Sequence, residues 1–279
     1  MTIIDFRFRP PVSNFLSGWL YDIEHRVEFA PRFGATISPS TMQKSLELCV
    51  EEMTALDIVG VVPGRKSFGN MDNGDLVRLK EQYPDRFICL AGLDPSQPLQ
   101  TTLDEIDRYV LNGNCTGVNI EPGYCKPQIM VNDKAIMYPI YEKCQKENIP
   151  VLLAFGGLCY SSLRYMTPQM LDQVAEDFPE MKIVLAHGGF PWVNEVCWIA
   201  LSKKNVYIAP DLYAMHGPGA ADYIAAANYL LRDKILFASA YPVVSMQDAV
   251  EHYQTCGIHP ERLPDIFYNT AAKVLGLDK

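Results

Sequence analysis

The chain predicts a (β/α)8 barrel, with an open doubly wound sheet as the alternative, on three observations. Eight short apolar runs alternate with stretches of helical periodicity. The runs are mostly continuous rather than alternating, which suits parallel strands covered by helices. The 279 residues, 48% of them hydrophobic, suffice for one such barrel, and no linker or low-complexity segment interrupts it. The expected organisation is a single domain over 1–279.

The first strand is Ile3-Ile4-Asp5-Phe6-Arg7-Phe8-Arg9-Pro10. Alternation with period two puts Asp5, Arg7 and Arg9 on one face and Ile4, Phe6 and Phe8 on the other. Pro10 has no N–H to give and ends the pairing. In a closed barrel the polar face points inward with Arg9 at the mouth; otherwise it is the solvated face of an edge strand. Residues 11–39 form a long irregular arm rich in aromatics (Phe15, Trp19, Tyr21, Phe29, Phe33). An arm of this length reads either as a lid over a pocket or as packing on a neighbouring subunit. Ser40 then N-caps a helix to about Leu56, with Leu46, Val50 and Met53 on one face.

The remaining strands fall at Ile58–Pro63, Phe87–Leu93, Gly117–Ile120, Pro150–Phe155, Lys182–Ala186, Val206–Ala209 and Ile235–Ser239. Helices between them fall near Gly74–Tyr83, Thr101–Leu111, Met137–Glu147, Pro168–Phe178, Trp192–Ser202, Asp222–Leu231 and Gln247–Thr255. Trp192 and Trp198 read as core against the barrel, while His25, His252 and His259 have no partner spacing.

Composition narrows the function classes. A net charge of −9 and a pI near 5.1 argue against a nucleic-acid partner. No apolar run approaches the roughly 18–20 residues of a membrane span, and no leader-like pattern opens the chain, so neither membrane nor secretion is expected. The 8 cysteines are scattered without C-x-x-C or zinc spacing and read as reduced cytoplasmic thiols. No glycine pattern for a nucleotide occurs, and no cofactor is expected.

Barrel chemistry sits just beyond the strand ends. Candidates there are Arg7 and Arg9 after strand one, Arg65 after strand two, and Asn119 and Glu121 on one face at strand four. Arg164 lies in the strand-five loop, His187 follows strand six, Asp211 and Tyr213 follow strand seven, and Tyr241 follows strand eight.

Four of these pieces resemble the amidohydrolase-related (amidohydrolase 2) family. They are the Asp5-to-Pro10 frame, Ala186-His187-Gly188-Gly189, Phe237-Ala238-Ser239-Ala240-Tyr241-Pro242, and the terminal run Asn269 to Leu277. The resemblance implies a TIM barrel of metal-dependent-hydrolase type, in a family of hydrolases, decarboxylases, hydratases and a lactonase. It also implies a divalent metal held by histidines at positions that here are Arg7, Arg9 and Ala154, with an aspartate where Ala240 stands. Of that set only His187 is present. One histidine among fixed cations falls short of the three or four ligands zinc takes, so a metal-free site is expected.

Arginine presents a charged planar fork that fits a carboxylate. Arg7 and Arg9 are therefore candidates for substrate binding or for stabilising an oxyanion in place of the metal, unless Asp5 or Glu121 pair with them structurally. Arg65 either contributes or is a solvated loop charge. His187 is a candidate general acid or base, or else an inert remnant. Asp211 could orient His187 or act as base, and Glu121 is the other carboxylate. Asn119, Arg164, Tyr213 and Tyr241 are the further substrate-binding candidates, the tyrosines competing with a packing role.

The leading expectation is a metal-independent hydrolase of a small lactone or ester-like substrate bearing a carboxylate, with a carboxylate activating water and His187 moving protons. The alternative is a lyase that decarboxylates or hydrates a small di- or aromatic carboxylate. A third reading is a non-catalytic carboxylate-binding barrel. The expected partner is a small anion; the aromatic arm leaves a homo-oligomer open.

Overall fold

The computed structural model describes residues 1–277. Seven parallel strands run in sequence order: β1 (Ile3–Asp5), β2 (Ile58–Pro63), β3 (Phe87–Leu93), β4 (Gly117–Ile120), β5 (Val151–Ala154), β6 (Ile183–Ala186) and β7 (Val206–Ala209). The helices are α1 (Ile23–Phe29), α2 (Pro39–Gln43), α3 (Leu46–Ala55), α4 (Asn73–Gln82), α5 (Leu99–Ile106) and α6 (Tyr138–Lys146). They continue with α7 (Pro168–Asp177), α8 (Val193–Ser202), α9 (Ala220–Asn228), α10 (Met246–Thr255) and α11 (Thr270–Leu275).

Residues 235–239 bridge the two edges of this curled sheet. Leu236 N–H donates to Ile208 O at 2.9 Å on the β7 side, and Phe6 N–H donates to Phe237 O at 2.9 Å on the β1 side. They do not form the regular eighth strand expected over Ile235–Ser239. Phe237 N–H goes instead to Ile266 O, 2.9 Å, and Ser239 N–H to the Asp5 carboxylate, 2.9 Å, so no ladder is left to build.

Alternation along the strands splits the apolar residues into two layers. Ile4, Phe6, Leu90, Leu152, Val184 and Leu236 pack in the interior with the terminal helix α11, which Lys182 ties to the starting end of β6 through Val274 O at 3.2 Å. Ile3, Val62, Val118, Leu153, Leu185 and Phe237 face the helices. Capping fixes the helix starts: Asp72 accepts from Gly74 N, 2.9 Å, and Ser245 from Asp248 N, 3.3 Å.

The first strand corrects the sequence reading. It ends at Asp5 rather than Pro10, and its inward residues are Ile4 and Phe6. Asp5 shares the outward face of Ile3 and binds Ser239 through that residue's N–H and hydroxyl. A bend at Phe6-Arg7 breaks the alternation and turns Arg7 into the mouth. Nor does Ser40 cap one long helix. Lys44, at φ 52, separates α2 from α3, and Ser45 caps α3 by accepting from Leu48 N at 3.2 Å. The arm is not wholly irregular, since α1 and three short 3-10 turns organise it. Trp198 is not core; it is 61% exposed on α8.

Candidate active site

One interior layer at the sheet's C-terminal end is built from alanines: Ala154, Ala186 and Ala209 are partners across β5, β6 and β7. Small side chains there leave volume, and charged groups from the strand ends fill it. Three residues just past those ends, His187 (φ 66), Asp211 (φ 47) and Ala240 (φ 62), hold left-handed backbones that non-glycine residues rarely adopt.

Arg7 crosses the mouth between two carboxylates, with Nη2 3.7 Å from Glu121 and Nε 3.5 Å from Asp211. Arg65 grips Glu121 with Nε 2.9 Å from one oxygen and 3.2 Å from the other, and its guanidinium lies 4.6 Å over the Phe68 ring. Burial would raise the Glu121 carboxyl, but the charges of Arg65 and Arg7 override it and hold it below the usual carboxylate range. Asp211 lies 2.9 Å from His187 Nδ1, off the line of an aligned hydrogen bond, and the contact is an ion pair first. Burial pulls the imidazole down, yet the charges of Cys159 and Asp211 leave it above its ordinary value despite repulsion from Arg7.

Arg9 has a different environment. Its Nη2 donates to Ala240 O at 2.6 Å, and Nε and Nη1 have no partner. Burial, then repulsion from Arg7 and Arg65, push its pKa down to about 9. Three guanidiniums thus face two carboxylates, and one positive charge is left over.

Arg7, Arg9, Arg65 and His187 floor a cavity of ≈260 Å³. Trp19, Leu20, His25 and Phe29 of the arm also line it. A larger hollow of ≈430 Å³ lies beside Pro168 and Trp198 on the helical exterior, away from the charged strand ends.

Among the sequence candidates, the structure brings Arg7, Arg9, Arg65, Glu121, His187, Asp211 and Tyr213 together. Tyr213 stands edge-on to the His187 ring at 5.8 Å. Asn119 is buried below them, donating to Gly64 O at 2.8 Å. Tyr241 turns outward: it stacks on Phe8 at 4.6 Å and its hydroxyl meets Ser40 at 2.8 Å. Arg164 is exposed and spends its guanidinium on the Tyr165 hydroxyl, 2.8 Å. Neither belongs to the site. Sequence reasoning missed Tyr124 and His25, which line the cavity, and Cys159, which ends the Gly157–Cys159 turn beside His187. Only Tyr124 had a signal, two residues after the Pro122 that follows Glu121.

A divalent metal does not fit these donors. Guanidinium nitrogens carry charge and offer no lone pair, and among the described residues no three His, Cys, Asp or Glu side chains converge on a point.

A family model described as amidohydrolase matches residues 4–277. The chain belongs to the amidohydrolase family. Its fold matches an uncharacterized TIM-barrel protein from Bordetella bronchiseptica at 34% identity and a TM-score of 0.93, covering 99% of each chain. A 2,6-dihydroxybenzoate decarboxylase from Rhizobium shares the fold at a TM-score of 0.71 and 15% identity, covering 100% of each chain. A 2-keto-4-carboxy-3-hexenedioate hydratase from Sphingobium sp. is 23% identical in an alignment over 200 residues that covers 60% of this chain and 58% of that one. This amidohydrolase-family chain therefore aligns with a little over half the length of that hydratase. No helix among its described residues is long and apolar enough to cross a membrane.

Proposed function

We propose that the protein is a lyase that decarboxylates a small acid bearing a second anionic or oxygen function, without a metal. The observation that carries the reading is Arg9, a buried cation with no carboxylate partner at the floor of a small cavity. A substrate anion would supply that partner. As the C–CO2 bond breaks, its electron pair stays on carbon and delocalises onto an oxygen, and the surplus positive charge of Arg7 and Arg9 stabilises it. His187, whose imidazole Cys159 and Asp211 raise above its ordinary value against burial, delivers a proton to that carbon. The step needs an anion site and an acid but no base.

That last point ranks decarboxylation above the lactone hydrolase expected from sequence. Activating water needs a carboxylate that will take a proton, and Arg65 and Arg7 hold Glu121 ionised. The decarboxylase and hydratase among the similar proteins also lie on the lyase side. Hydration is the second reading. Asp211 is the carboxylate that water addition would have to use as base, and its pairing with Arg7 and His187 places hydration after decarboxylation.

The test is a panel of small dicarboxylates and hydroxyaryl acids in D2O, followed by NMR with CO2 trapping. Release of CO2 with one deuterium at the vacated carbon, lost in His187→Asn and Arg9→Met, supports the reading. Turnover of lactones with no CO2 from any acid would overturn it, and water addition without CO2 would establish the hydratase.

A further inference from the structure

Helix α8 carries apolar residues on two faces. Val193, Val196, Ile199 and Ala200 are buried against the barrel. On the outer side Trp198 is 61% and Leu201 52% exposed, at the i, i+3 spacing that sets them on one stripe. Just past the end of α9, Tyr229 and Leu230 are 59% and 68% exposed. The four residues form one surface, since all of them line a hollow of ≈390 Å³ between the two helices. Trp198 also borders the ≈430 Å³ hollow beside Pro168, so its indole is a ridge between two depressions. An apolar stripe on a helix needs a cover, and among the described residues the outer stripe has none.

We propose that this α8–α9 face is the interface through which two copies of the chain form a two-fold dimer. The exposed side chains of Trp198, Leu201, Tyr229 and Leu230 present on the order of 500 Å² of apolar surface. A stable pair needs about 800 Å² from each partner, roughly 65% of it apolar in homodimers. The patch is therefore large enough to be the core of such an interface, and the polar residues around it form the rim.

The charges of the rim select a second copy as the occupant. α8 and α9 each follow a parallel strand and run the same way, so the face has a start and an end. Glu195 and Asp222 are exposed at the start. Lys204 and Arg232 are exposed at the end. Lys204 already meets Glu180 at 2.6 Å, whereas Arg232 spends only Nε, donating to the Tyr229 carbonyl at 3.1 Å. A two-fold axis through the face reverses the helices and lays the acidic start of each copy over the basic end of the other. The same reversal seats each Trp198 ridge in a depression of the opposite copy, the kind of contact in which tryptophan dominates binding. An anionic lipid surface fits poorly, because Glu195, Asp222 and a net charge of −9 would be held against it.

Sedimentation velocity over a dilution series of the full-length protein tests the proposal. The expected result is a dimer at micromolar concentration. Trp198→Glu and Leu230→Arg should each weaken it about 30-fold or more while melting as the wild type does, since both side chains are exposed. Glu195→Arg and Arg232→Glu should each weaken it about fivefold at low salt, and the two together in one chain should restore it. A wild type that stays monomeric up to about 100 µM overturns the proposal and leaves the face to a different partner. A dimer that Trp198→Glu and Leu230→Arg leave intact pairs through another face, which also overturns it. If those two variants fail to fold, the charge reversals decide, because single reversals without effect, or losses that add in the double variant, exclude the two-fold arrangement.

Discussion

Arg9 donates its guanidinium to the main-chain carbonyl of Ala240, 2.6 Å away, and reaches no carboxylate. The contact joins the segment that follows the first strand to the residue after the last barrel segment. A neutral carbonyl cannot balance a buried cation, so a bound anion should stabilise the protein by occupying the vacant guanidinium nitrogens. Arg9→Met should melt within about 1 kcal/mol of the wild type or above it, since it removes an unpaired charge. It should also lose carboxylate-dependent thermal stabilisation, with affinity down about 30-fold or more. Equal stabilisation of both proteins by the same acid would show that Arg9 is structural.

Glu121 holds two arginines together, and removing its charge leaves both short of a partner. Glu121→Gln should destabilise by about 3–5 kcal/mol in urea unfolding, the usual cost of breaking a buried ion pair from one side. Pairing it with Arg65→Met should recover part of that loss. Strict additivity of the two substitutions would contradict the bifurcated Arg65 Nε contact to Glu121.

Asp5 supplies a pH-dependent test of the closure between the first strand and residues 235–239. Burial outweighs the hydrogen bonds from Ser239 and raises its carboxyl from 3.8 to about 6. The folded state therefore binds the proton more tightly than the unfolded chain. The stabilisation is full below about pH 4 and disappears as pH rises through about 6. The shift corresponds to roughly 3 kcal/mol. Asp5→Asn cannot titrate, so the wild type should lose stability relative to that variant between pH 4 and 7. A constant difference across that range, measured by urea unfolding, would refute the buried carboxyl.

Much of this architecture is legible from periodicity alone. Ile58–Pro63, Phe87–Leu93, Gly117–Ile120 and Val206–Ala209 stand where the apolar runs put them. What failed did so where a single residue overrode the pattern. The bend after Asp5 turned Arg7 into the mouth against the strand's alternation, and the Asp5 carboxylate took the N–H that would have extended the eighth strand. Tyr241 follows the last segment at the right height, but Phe8 and Ser40 give it an aromatic stack and a hydroxyl partner on the outer side. Arg164 is in the right loop with too long a reach to solvent. Cys159 and His25 were invisible, because a cysteine after two glycines and a histidine in an aromatic arm have no local signature. Only tertiary placement brings them to His187 and the cavity.

Gly157 marks how tightly that placement is held. Its φ of 62° lies in the left-handed region, and a Cβ would stand 2.7 Å from the Tyr213 hydroxyl and 3.1 Å from the His187 ring. Gly157→Ala should therefore cost backbone strain of about 1 kcal/mol or more and also push two site residues apart. Removing the hydroxyl with Tyr213→Phe relieves the closest contact but not the φ strain or the histidine contact. The double variant should then recover part, not all, of the lost stability, with a coupling of about 0.5 kcal/mol or more in a double-mutant cycle. Independent effects of the two substitutions would mean that the turn can retreat from Tyr213, and that the β5 loop does not fix the position of His187.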